Sequence, residues 1–61
     1  MKYVIFDDAA GVRTAVNPSQ VVTVVMVDDR LTDVVLVGGA VVRVALTFES
    51  VVNQLSGVAP R

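Results

Sequence analysis

The chain has 61 residues, 54% of them hydrophobic, a net charge of −1, and neither Cys nor His. The lack of Cys excludes a disulfide, the lack of both residues removes the usual soft metal ligands, and five scattered basic residues make no nucleic-acid stripe. A single domain of ~60 residues, here 1–61, buries only about 60% of its unfolded surface, which leaves oligomerisation as its usual support.

Seventeen residues are valine, mostly in blocks. A branched Cβ loses rotamer freedom in a helix and packs well on a pleated sheet, so the blocks predict strands. Residues Lys2 to Phe6 read as the first strand. Asp7-Asp8-Ala9-Ala10-Gly11 reads as a turn, with carboxylates able to bond the local backbone and a glycine free to take positive φ. Val12 to Val16 is the second strand of this hairpin, with Val12, Thr14 and Val16 on one face and Arg13 and Ala15 on the other. Asn17-Pro18 is a capping pair that predicts one short helical turn before the next strand.

Val21 to Val27 is the third and longest strand, and only Thr23 interrupts its apolar character. Asp28 to Asp33 reads as a polar loop and Val34 to Val37 as the fourth strand. Gly38-Gly39 is a two-residue hairpin signal. Val41 to Leu46 is the fifth strand, with Val42, Val44 and Leu46 facing one way and Val41, Arg43 and Ala45 the other. Thr47 caps a final helix of about two turns, in which Phe48, Val51, Val52 and Leu55 form one apolar stripe. Glu49 sits in the first turn, where the dipole favours an anion. Gly57 stops the helix, Pro60 lies beyond it, and Val58 to Arg61 reads as a frayed tail.

These elements predict a mainly β fold: a small, twisted, antiparallel five-stranded sheet, or partly open barrel, with one short C-terminal helix. Val24, Leu36, Val42, Val44, Leu46, Val51, Val52 and Leu55 are the expected core. A half-wet strand alternates apolar and polar residues; the valine blocks do not, so both faces of the sheet are expected to be covered. A chain this short cannot cover both, and a closed homo-oligomer, a dimer or small ring, is the expected remedy. No apolar run reaches the ~20 residues of a membrane span, and no signal peptide is visible at the start. The expected location is cytoplasmic.

From Asn17 to Leu55 the order is Asn17-Pro18, a strand with Val21, Val24 and Val25, and a charged loop. Val34-Val35-Leu36 with Gly38-Gly39 follows, then Val41 to Val44, and Thr47-x-Glu49-x-Val51-Val52 opening the helix. This pattern resembles the small FlbD-type flagellar proteins. The resemblance covers most of the chain and implies a small β protein with a regulatory or assembly role, meeting a protein partner. It brings no catalytic residues.

Function is less legible. With no His, no Cys, no phosphate loop and no dinucleotide fingerprint, enzyme chemistry is not expected. Ser19, Ser50 and Ser56 lack an activating base. Asp7-Asp8 and Asp28-Asp29 have the oxygen ligands that hard cations prefer, but adjacent residues on extended chain point apart. Loop solubility explains them, and neither a metal site nor a cofactor is expected. Arg43 and Arg13 each interrupt an apolar strand, and a guanidinium fork suits carboxylate or phosphate. The bland account of each is an ion pair with an Asp across a subunit contact, or a place on open surface. Tyr3 offers a stacking ring, or merely a rim hydroxyl. Gly38 and Gly39 offer bare backbone amides, or merely a turn.

Three readings result. The first is a non-enzymatic oligomeric binding module that holds a small anionic, nucleotide-like ligand at subunit junctions. Arg43, Arg13, Tyr3, Gly38 and Gly39 are its candidate contacts, and a phage protein sequestering nucleotide signals is one setting. The second is the FlbD-like adaptor. The third, an Sm-like RNA-binding ring, has too few basic residues.

Overall fold

The computed structural model describes residues 3–57. Lys2, expected in the first strand, and the expected frayed tail from Val58 to Arg61 lie outside them. The elements are β1 (Val4–Asp7), β2 (Arg13–Val16), a 3₁₀ turn (Pro18–Gln20), β3 (Val21–Asp28), β4 (Leu31–Leu36), β5 (Val41–Val44) and α1 (Phe48–Leu55). Every strand pairing is antiparallel. The protein is mainly β with one short helix, as the valine blocks require.

The five strands form two sheets rather than one: the β1-β2 hairpin and the sheet β3-β4-β5. The break falls where Asn17-Pro18 turns the chain. The Asn17 carboxamide accepts the Ser19 N–H at 3.0 Å, and Pro18 has no N–H to continue a ladder. The sheets meet at one corner, where Asp8 bridges Val44 and the Ala9 N–H donates to the Arg43 carbonyl at 2.8 Å. One bridge does not close a barrel, and β2 and β3 remain edge strands.

Two connections differ from expectation. Leu31, Thr32 and Asp33 belong to β4 and not to a loop. The Asp28 carboxylate accepts the Arg30 N–H at 2.8 Å, so Asp29 and Arg30 suffice for the turn. Gly38-Gly39 is not a two-residue hairpin loop. The Leu36 N–H reaches Ala40 O at 2.8 Å, which leaves Val37, Gly38 and Gly39 between the strands. Val37 donates to Gln20 O instead of continuing β4. Gly38 and Gly39 have φ of 92° and 91°, a region open to glycine and costly for other residues.

The longest strand owes its shape to two bulges. Val21 and Thr23 oppose Leu36 and Val35, and Met26 and Asp28 oppose Thr32 and Leu31, so Val22 and Val27 are extra residues. An extra residue shifts the pleat by one position. Val21 and Val24, three apart, therefore both pack on the core. Within one chain the unbroken apolar run is thus not buried on both faces. It is a half-exposed strand whose phase is reset, and Val22, Val25, Met26 and Val27 are exposed.

The core is Phe6, Val16, Val34, Val44 and Val51, ringed by half-buried Val4, Val21, Val24, Leu36, Val42, Leu46 and Leu55. Val52, expected inside, is 36% exposed. The helix is too short to present a wide apolar stripe, and Val51 and Leu55, one turn apart, take the inner line. Val12 also departs from its expected face. Its N–H bonds the Asp8 carboxylate at 2.9 Å, which holds it in the turn and leaves it exposed. Thr32 is buried and donates its hydroxyl to Leu46 O at 2.9 Å, tying β4 to the segment that leads into α1.

Candidate functional site

Directly opposed residues of an antiparallel pair share a face, so the register defines the sheet's two sides. The inner side carries Val24, Val34, Val42 and Val44 toward the core. The outer side carries the rows Thr23–Val35–Val41 and Val25–Asp33–Arg43. Val25 and Val41 are exposed, and Val35 is half-buried. The sheet therefore has one open face within the chain, the face that a single short chain is expected to leave for other copies to cover.

Arg43 lies in this face. Its Nε donates to Asp33 Oδ1 at 2.8 Å and its Nη2 to Oδ2 at 3.1 Å. This is the fork-to-fork geometry that makes Arg–carboxylate pairs directional. The hydrogen bond from Arg43 is the main cause that holds the Asp33 carboxyl below its usual range, working against partial desolvation and with the charge attraction. The same hydrogen bond, with the attraction, raises Arg43 above its already high value. Asp33 is the more covered partner, with its side chain 17% exposed against 52% for Arg43. A guanidinium has five N–H donors, so two bonds to Asp33 leave the distal edge of a half-exposed, oriented fork.

The remaining candidates do not gather around it. Arg13 belongs to the other sheet, with Asp7-Asp8 between it and β5, and makes an exposed pair with Asp7 at 3.6 Å. Tyr3 precedes β1 and is exposed. Gly38 and Gly39 stand at the β4-β5 loop. Gly39 is four residues from Arg43, about 13 Å at strand spacing. The fork's partner, Asp33, lies in β4, inside the stretch Asp28 to Asp33 whose polarity suggests a loop, and so is not among the candidates that the sequence offers. Its place in the alternation of Thr32, Asp33 and Val34 was the available signal.

The acidic pairs have local work. Asp8 accepts the N–H groups of Ala10 and Val12, and Asp28 closes the β3-β4 turn. Among the described residues, no three of His, Cys, Asp and Glu gather as a metal-binding group. The serines bond locally: Ser19 Oγ to Asn17, Ser56 Oγ to Asn53 O, and Ser50 Oγ accepting from Gln54. Among the described residues no helix is long and apolar enough to cross a membrane. No family model, curated protein or solved structure matches the chain.

Proposed function

We propose that the protein is a non-enzymatic binding module that works as a homo-oligomer and holds a small anionic ligand on the outer face of β3-β4-β5. The observation that carries this reading is Arg43, held by Asp33 in two hydrogen bonds among exposed valines of an open sheet face. An arginine fixed before a ligand arrives loses less freedom on binding. Its free edge suits a carboxylate or phosphate. The valines supply apolar area that a second copy, or the flat part of a nucleotide-like ligand, would cover. Gly38 and Gly39, at the end of the same face, are secondary candidates. The reading takes the protein as cytoplasmic.

The FlbD-like alternative, an adaptor for another protein, draws on the same open valines and on exposed Val52. The ligand reading expects purified protein to release an ultraviolet-absorbing molecule on denaturation. It also expects added nucleotide to bind with heat that Arg43→Ala abolishes while Val37→Ala does not. The adaptor reading expects neither. Unchanged binding by Arg43→Ala, or a 6.4 kDa species at micromolar concentration, would refute the proposal.

A further inference from the structure

β3 is an edge strand, and it lacks most of the devices that keep such edges apart. It is the longest strand, eight residues, and has no Lys, Arg or Pro. Val22 and Met26 are 64% and 55% exposed. An edge of this kind is a template for another strand. Its two bulges lie toward the ends, so Thr23 to Met26 remain regular.

We propose that this edge pairs with β3 of a second copy, antiparallel, about a two-fold axis at Val24. The inference rests on the homo-oligomer of the proposed function and names where two copies join. Parity selects a residue at the axis. Opposed side chains of an antiparallel pair share a face, and a two-fold axis normal to the sheet keeps inner face with inner face. Both hold only when a residue meets its own copy. Val24 then opposes Val24, and Thr23 opposes Val25, outer residue to outer residue.

Charge selects Val24 over its neighbour. With the axis at Val24, Asp28 falls beside the Gln20 end of the other copy's 3₁₀ turn, whose side-chain amide can donate to it. An axis at Val25 would instead lay Asp28 against Val22. Antiparallel pairing also separates the two copies of Asp28 by about eight residues, roughly 27 Å. A parallel in-register pair would stack them.

The chain has no cysteine, so single-cysteine variants report the register. Opposed residues of an antiparallel ladder have Cα atoms about 4.5–5.5 Å apart, within disulfide range. Under mild oxidation at micromolar concentration, Val24→Cys should cross-link to itself. Thr23→Cys should cross-link to Val25→Cys in a mixture at least tenfold more than to itself. The second pair uses exposed positions and keeps the test decisive if Val24→Cys fails to fold. Sizing of the unmodified protein runs alongside. A dimer in which Val41→Cys cross-links efficiently and the β3 variants do not would overturn edge pairing and leave the oligomer reading standing. A monomer by sizing would overturn both.

Discussion

Val44 joins the two sheets, and replacing it with Ala tests whether that joint matters. The side chain has no exposed surface. It opposes Thr32 on β4 and bridges Asp8 from the hairpin. Val44→Ala removes two carbons, worth about 1.6 kcal/mol at ~0.8 kcal/mol each. Paired backbone on both sides prevents full collapse of the space, and the residual cavity adds about 1 kcal/mol. The expected loss is therefore about 2–3 kcal/mol. A chain of this length has about 3–9 kcal/mol of stability in all, at ~0.05–0.15 kcal/mol per residue. The midpoint of thermal unfolding should drop by roughly 8–24 °C, at about 4–8 °C per kcal/mol for so small a domain. Urea unfolding followed by circular dichroism measures the change, at one protein concentration because assembly couples to stability. Val37→Ala, at an exposed position, is the control and should stay within about 0.5 kcal/mol. Equal losses in the two variants, or a Val44→Ala loss below about 0.5 kcal/mol, would refute the placement of the joint in the core.

Thr32→Val should cost about 1–3 kcal/mol in urea unfolding although the volume hardly changes, because Leu46 O loses its buried donor; a neutral substitution would mean that water or another donor serves that carbonyl. Gly39→Ala should cost about 1–2 kcal/mol from its positive φ alone, since an added Cβ meets nothing within 4 Å, and the same unfolding measurement would show an unstrained loop as no change. Asp33 titrates low in the folded state, so its contribution to stability is present above the ordinary carboxylate range and fades as pH falls through the folded value. Carbon-detected NMR should find its midpoint below ~3.9 and rising in Arg43→Ala; a wild-type midpoint at or above that value would contradict the Arg43 pairing.

The strands were legible because valine in blocks has few alternatives, and the ends of α1 because Thr47 and Gly57 punctuate it. The Asn17-Pro18 turn was legible for the same reason. What failed was phase. A run such as Val21 to Val27 has no polar residue to mark the inner and outer sides. Only the partner strand shows that Val22 and Val27 are extra. The expected β3-β4 loop is too long because Asp33 carries the polarity of a loop residue while lying in β4. Its charge is tolerated in mid-strand because Arg43 stands directly across. The candidate site was half legible. Arg43 stood out between valines, but its partner lay ten residues away in sequence and could be found only with the β4-β5 register in hand. Phe6 and Val16 entered the core through cross-strand pairing with Thr14 and Val4, which composition alone does not reveal.

Edge pairing and ligand binding place different demands on the assembly, and distance separates them. In a sheet continued through two copies of β3, the two copies of β5 stand five strand spacings apart, about 24 Å at ~4.8 Å each. A small anion cannot touch Arg43 of both copies across that span. If a ligand sits at a junction between copies, the junction is formed by outer faces packing together and not by the β3 edge. The other edge does not compete. β2 has four residues, carries the Arg13–Asp7 pair at its start and runs into Pro18, all features that discourage strand addition. One open edge and one guarded edge would give a closed pair rather than a fibre. Pairs stacked through their outer faces would then form the complete particle. Titration separates the two levels of assembly. Arg43→Ala should remove the ligand and leave the Val24→Cys cross-link intact. If Arg43→Ala abolished the cross-link instead, edge pairing would depend on packing of the outer faces, and the two levels would not be independent.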